Sequence, residues 1–226
     1  MMQSKEHFKF DGYTIGLGLL FVLLFWVVYT IEVRFHLNFN QWGIRPGEWL
    51  GLRGVLFSPL IHGSLEHLWG NTLPALALTT GLTYFYRKQS LTIFLVGWLL
   101  TGLLTWFLGR NSYHIGASGV IYMLASFLFL KGIFTRHYRL MAISFIIVFL
   151  YGGMVWYVLP VERGISWEGH LSGAVVGLFL SLVTKNRLPE KKKYEWELPE
   201  YNPEDDEFMR HFDEKGNFIE RLDEEE

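Results

Sequence analysis

Six stretches of this sequence contain no Asp, Glu, Lys or Arg: residues 12–31, 67–86, 89–109, 111–130, 140–161 and 169–184, of 20, 20, 21, 20, 22 and 16 residues. A hydrocarbon core about 30 Å thick is crossed by ~20 apolar residues of helix. Five stretches meet that length, and the sixth falls slightly short but is rich in Leu, Val and Gly. Lipid offers no partners for backbone N–H and C=O groups, so spanning segments of this length are helical. The expectation is an all-α membrane protein, a bundle of six transmembrane helices. The competing reading, a soluble all-α domain with buried helices, fits poorly with six such runs inside residues 12–184. The first run is too long for a signal-peptide core and is followed by no convincing cleavage site, so it is read as a true span.

The charges lie outside these runs. Fifteen of the 22 acidic residues follow position 189, so the net charge of -2 averages an apolar body with an acidic tail. The expected organisation is a cytoplasmic segment over residues 1–11, a membrane domain over 12–184 and an acidic cytoplasmic tail over 185–226. The tail opens on the basic cluster Lys191, Lys192 and Lys193, and residues 212–218 have the composition of a small hairpin. Twelve Lys and Arg residues flank the spans on one side and five on the other (Arg34, Arg45, Arg53, Arg110, Arg163). The richer side is predicted to be cytoplasmic, with both termini inside. No basic patch interleaved with aromatics points to nucleic acid. The absence of cysteine excludes disulfides and thiolate chemistry.

Polar side chains inside a bilayer are costly and are functional candidates by default. The second, fourth and sixth spans all run inward, and each has its polar residues near the outer end: His67 and Asn71, then Ser118, then His170. A serine hydroxyl becomes nucleophilic when a positioned base takes its proton, and histidine titrates in the useful range. The oxyanion then needs fixed donors, which the Asn71 amide, a His67 ring N–H and the Ser118 N–H can supply. His67 and Asn71, four apart, share a helix face. Gly116 and Gly119 flank the serine and remove bulk. Gly173 and Gly177 form a small-xxx-small face that lets the fourth and sixth helices pack closely. Tyr122, one turn after Ser118, is placed to stack on the His170 ring. Glu66 and Glu168 lie at span boundaries and read as solvated, leaving a Ser–His dyad whose imidazole is oriented by Tyr122. His114 is a rival base, and Ser118 is expected at most roughly 12 Å along a helix from Arg110.

The run from His62 through His67 to Asn71 resembles the His-x4-His-x3-Asn signature of rhomboid proteases. Gly116-Ala117-Ser118-Gly119 resembles their Gly-x-Ser-Gly motif, and His170-Leu171 with Gly173 and Gly177 resembles their last-helix motif. The resemblance covers residues 12–184. It implies a six-helix intramembrane serine protease with a water-filled cavity open to the outside. Ser118 would be the nucleophile and His170 the base, with His67, Asn71 and the Ser118 N–H at the oxyanion and His62 in support. It further implies single-span membrane proteins as substrates, membrane lipid as surroundings, and a fifth helix and following loop acting as gate and cap. No cofactor or metal is expected. Many members carry an adjacent Trp-Arg pair in the first outer loop, whereas here Trp49 and Arg53 are separated.

Each motif has a bland counterpart. Gly-x-Ser-Gly also serves as a packing notch, and His67 and Asn71 also suit a helix entrance. A proton-linked carrier would use similar residues, but the polar groups gather on one side only. A non-catalytic escort of transmembrane helices is the alternative function, and both dyad residues being present argues against it.

Overall fold

The computed structural model describes residues 10–150, 156–161, 164–185, 194, 196, 198–213 and 215–219. Helix starts follow local chemistry. Helix α1 (Gly12–Phe35) opens on a capping box, in which the Asp11 carboxylate accepts the Thr14 N–H at 3.1 Å and the Thr14 hydroxyl accepts the Asp11 N–H at 3.2 Å. Two guanidinium N–H groups of Arg87 donate to the same carboxylate at 3.0 and 2.9 Å and hold its pKa down to about 2. After the short α2 (Gly54–Phe57), α3 (Leu65–Phe85) begins where the Ser64 hydroxyl accepts the His67 N–H. Then come α4 (Ser90–Leu108), α5 (Ser118–Phe134), α6 (Tyr138–Leu150) and α7 (Trp167–Val183), the last capped by Ser166. Among the described residues the fold is helical, with two isolated antiparallel bridges.

The surface is apolar where a water-soluble protein would be polar. Along α1, Leu19, Leu20, Leu23, Leu24, Val27 and Ile31 are all exposed, a contiguous apolar face of the kind that marks a protein or membrane contact. Small hydroxyl residues are buried instead, among them Thr79, Thr83, Thr101, Thr105 and Ser172. Thr83 and Thr105 donate back to the carbonyls of Thr79 and Thr101 within their own helices. That distribution suits lipid, where helices gain little from apolar contact and pack through small residues and hydrogen bonds. Helices α1 and α4 are long and apolar enough, taken singly, to cross a membrane.

Helix α5 is the centre of the bundle, with Met123, Leu124, Phe127 and Leu128 fully buried. Its most extensive partner is α7. A Cβ at Gly173 would lie 2.1 Å from the Gly119 carbonyl oxygen, and one at Gly177 would lie 2.4 Å from that of Met123. Backbone therefore meets backbone along this pair.

Two expectations need correction. The fourth apolar run is not one helix: residues 109–117 form a loop in which Ile44 and His114 exchange both backbone hydrogen bonds at 2.9 Å, and α5 begins only at Ser118. Gly116, at φ +104°, supplies the left-handed turn into it. Lys131, read as flanking a span, lies in the last turn of α5. It is 5% exposed, and its ammonium donates to the Ser181 and Thr184 carbonyls at the end of α7, a favourable place for a cation. Lys131→Met is expected to lower stability by ~1–3 kcal/mol, read as a lower thermal midpoint in detergent. Finally, Glu168 is not solvated but 4% exposed, accepting the Arg110 backbone N–H at 3.3 Å with the Arg110 guanidinium 3.6 Å away.

Of the fifth run, α6 and a 3-10 turn at Trp156–Val158 are described, and residues 151–155 lie outside the described residues. In the first long loop the guanidinium of Arg53 lies 4.7 Å over the ring of Trp42 and donates to the Gln41 carbonyl at 2.9 Å. The arginine thus pairs with a tryptophan eleven positions earlier rather than with an adjacent one. Residues 8–188 form one compact unit, and residues 189–226 belong to a second. In the latter Phe212 bridges Phe218, and the Asp213 carboxylate accepts the Asn217 N–H at 2.8 Å. Lys191, Lys192 and Lys193 lie outside the described residues.

Candidate active site

Three helix beginnings meet around one cavity. Ser118 is the first residue of α5, and the first-turn N–H groups of a helix have no acceptor within it. His170 is in the first turn and a half of α7, and His67 and Asn71 are in the first two turns of α3. The close α5–α7 contact at Gly119 and Gly173 brings the first two together: the Ser118 Oγ lies 2.9 Å from the His170 Nε2.

The other ring nitrogen decides the tautomer. The His170 Nδ1 is 2.8 Å from the Tyr157 backbone carbonyl, which can only accept. The proton therefore sits on Nδ1, and Nε2 presents a lone pair to the serine hydroxyl. The Tyr122 ring stacks on the imidazole, with centroids 4.3 Å apart and planes 11° from parallel. Tyr157 was missed in the sequence, because a backbone carbonyl leaves no signature in residue type.

Facing the pair is a cavity of about 680 Å³ lined by His67, Asn71, Ser118, Tyr122, Tyr157 and His170. Asn71 is 5% exposed, and its amide nitrogen has no hydrogen-bond partner among the described residues. A buried donor without an acceptor is costly, and this one borders the space where a reacting carbonyl would sit. A Cβ at Gly116 would lie 2.6 Å from the His67 Nε2, so the glycine lets the loop before Ser118 press against that ring. On the other side of Ser118 is a water-sized cavity of about 30 Å³, bordered by Ser58, Thr101 and Thr105.

His62 is 2% exposed, with its ring 5.0 Å from that of His67 and 4.9 Å from that of Phe25. Burial, with His67 beside it, pushes its pKa down to about 3. The unfolded chain then takes up a proton below about pH 6.5 that the folded one refuses. The stability this group contributes is complete above that pH and is lost as pH falls toward about 3. The loss is ~2 kcal/mol by pH 5. Thermal midpoints at pH 7 and pH 5 should differ less in His62→Gln than in the wild type.

His114 is not near the serine hydroxyl in hydrogen-bonding terms. Its Nδ1 is 2.6 Å from the Ser166 Oγ and its Nε2 3.1 Å from the Arg110 carbonyl oxygen. Burial lowers its pKa. Among the described residues no group of three or more His, Asp or Glu side chains is arranged to hold a metal.

Comparison with known proteins agrees with this architecture. The family model for the Rhomboid domain matches residues 47–187. An uncharacterized protein of Mycobacterium tuberculosis is 36% identical over 183 residues, covering 77% of this chain and 75% of that protein, and one of Mycobacterium bovis matches equally. An uncharacterized protein of Mycobacterium leprae is 31% identical over 183 residues, covering 77% of this chain and 72% of its own length. With its apolar helices and buried hydroxyls, the chain is an all-α integral membrane protein that belongs to the rhomboid family.

Proposed function

We propose that this protein is an intramembrane serine protease that hydrolyses peptide bonds in or near the transmembrane segments of single-span membrane proteins. The observation that carries the reading is the 2.9 Å contact between the Ser118 hydroxyl and a His170 ring whose tautomer leaves Nε2 free to accept. In this reading His170 takes the Ser118 proton as the oxygen attacks the scissile carbonyl. The tetrahedral oxyanion is met by the Asn71 amide, the His67 ring and the Ser118 N–H at the positive end of α5. His170 then gives its proton to the departing amine, leaving an ester on Ser118. Water hydrolyses the ester with the same base, releasing the second product and restoring the hydroxyl.

In the same proposal α1, α3, α4, α5, α6 and α7 are the six spans of a domain over residues 12–184. Both termini are cytoplasmic, residues 185–226 form a tail on that side, and the cavity opens outward. The excess of Lys and Arg at the corresponding helix ends supports this orientation.

The direct test needs no knowledge of the substrate. The full chain in mild detergent is treated with a fluorophosphonate probe. Labelling of the wild type, but not of Ser118→Ala or His170→Ala, is the expected result. A folded wild type that neither labels nor cleaves a generic single-span substrate in lipid would sink the protease reading and turn attention to helix binding.

A further inference from the structure

His114 is 3% exposed and contacts neither member of the dyad by hydrogen bond, yet its bonds join the segments that carry them. It lies in the loop that delivers Ser118, four residues upstream. Because the Arg110 carbonyl can only accept, the ring proton is on Nε2, where the Ser112 hydroxyl also lies at 3.4 Å. Nδ1 is therefore an acceptor, and the Ser166 hydroxyl donates to it across 2.6 Å. The Ser166 oxygen in turn accepts the N–H of Gly169, the residue before His170, at 3.3 Å. The result is one directional chain from the α7 backbone through Ser166 and the imidazole to the turn after α4.

A second strand runs beside it. The Arg110 guanidinium donates to the Ile165 carbonyl at 2.7 Å, and Glu168 accepts the Arg110 backbone N–H. Residues 110–114 and 165–169 are thus stitched at several points. The glycine contacts deeper in the pair set how closely α5 and α7 approach. Van der Waals contact between small residues has little directionality and tolerates a slide along the helix axis. Hydrogen bonds at the outer end do not, because they weaken steeply with misalignment.

We propose that His114 is a positioning residue that acts through Ser166 to fix the axial register of α7 against the Ser118 loop, and hence the Ser118–His170 hydrogen bond. The inference rests on the serine-protease reading of that dyad. It gives a role to a buried histidine that the chemistry of the dyad leaves unused.

The test uses the full chain in detergent with four variants: His114→Phe, His114→Gln, Ser166→Ala and the His114→Phe/Ser166→Ala pair. Rates of fluorophosphonate labelling, kcat and KM on a single-span substrate, and thermal midpoints are measured for each. His114→Phe should lower kcat and labelling about 10- to 100-fold per folded molecule, with KM within about twofold, since a small misplacement acts on the reacting geometry rather than on binding. Ser166→Ala should lose a similar factor, and the double variant should lose no more than the worse single, because both break one chain. His114→Gln, whose amide can donate to Arg110 while its oxygen accepts from Ser166, should recover most of the rate. A role in stability alone would lower the midpoint without this rescue or this non-additivity. If His114→Phe does not fold, Ser166→Ala and His114→Gln decide the matter. Wild-type labelling rates in Ser166→Ala, or losses that multiply in the double variant, would overturn the inference while leaving the protease reading intact. A wild type that neither labels nor cleaves removes that reading and this one together.

Discussion

Ser118→Ala should reduce cleavage of a single-span substrate in lipid by about 10⁵-fold, with His170→Ala close behind and the double variant scarcely worse than either. At 2.9 Å from the imidazole, the Ser118 hydroxyl has, in the proposed reaction, a base that needs no movement to take its proton, and alanine removes both the nucleophile and that proton. What survives is the contribution of the oxyanion donors, which in dyads and triads of this type still accelerates attack by water. Product formation on a gel, with the substrate and each variant reconstituted in the same vesicles, measures it. A Ser118→Ala protein within about tenfold of wild type would remove the serine from the chemistry.

Gly173→Ala carries the second large effect, on structure and activity together. The added Cβ would lie 2.1 Å from the Gly119 carbonyl oxygen and 3.1 Å from the Met123 nitrogen. Both are backbone atoms on α5, which cannot rotate aside like a side chain. The helices must part, at a cost of ~1–3 kcal/mol for overpacking, and the parting opens the Ser118–His170 hydrogen bond next to the contact. A lower thermal midpoint with at least about 100-fold slower fluorophosphonate labelling is the expected pair of results. Gly16→Ala is the control, since nothing lies within 4 Å of a Cβ there and alanine favours a helix interior. Equal midpoints in the two variants would mean that the helices are not held as closely as the backbone contact requires.

Helix positions were largely legible because lipid imposes one periodicity and one length. Residues 12–31, 67–86, 89–109 and 169–184 match the starts and ends of α1, α3, α4 and α7 within a few residues. The misreadings share a cause, which is that charge marks a membrane boundary only when it is solvated. Lys131 donates to the carbonyls ending α7, so α5 runs on to Phe134 past the end of its charge-free run. Glu168 accepts from Arg110 and is buried in the first turn of α7. Conversely, residues 111–117 carry no charge and still form a loop, because their backbone bonds go to Ile44 and Ser58 rather than along a helix. Within the site, the grouping of Ser118, His170, His67 and Asn71 followed from span direction alone. The Tyr157 carbonyl and the Ser166–His114 bond did not, since each depends on a fold-level meeting of loops.

Helix α7 is tied at both ends. Its first turn is bonded to residues 110–114, its last carbonyls receive the Lys131 ammonium, and its middle lies against the α5 backbone. A helix pinned this way cannot be drawn into place by an incoming polypeptide. In the proposed protease, whatever occupies the cavity meets a Ser118–His170 pair assembled beforehand, so binding energy would not go into moving the base. On that reading, discrimination between substrates would fall on access to the cavity and fit within it, not on induced assembly of the reacting groups.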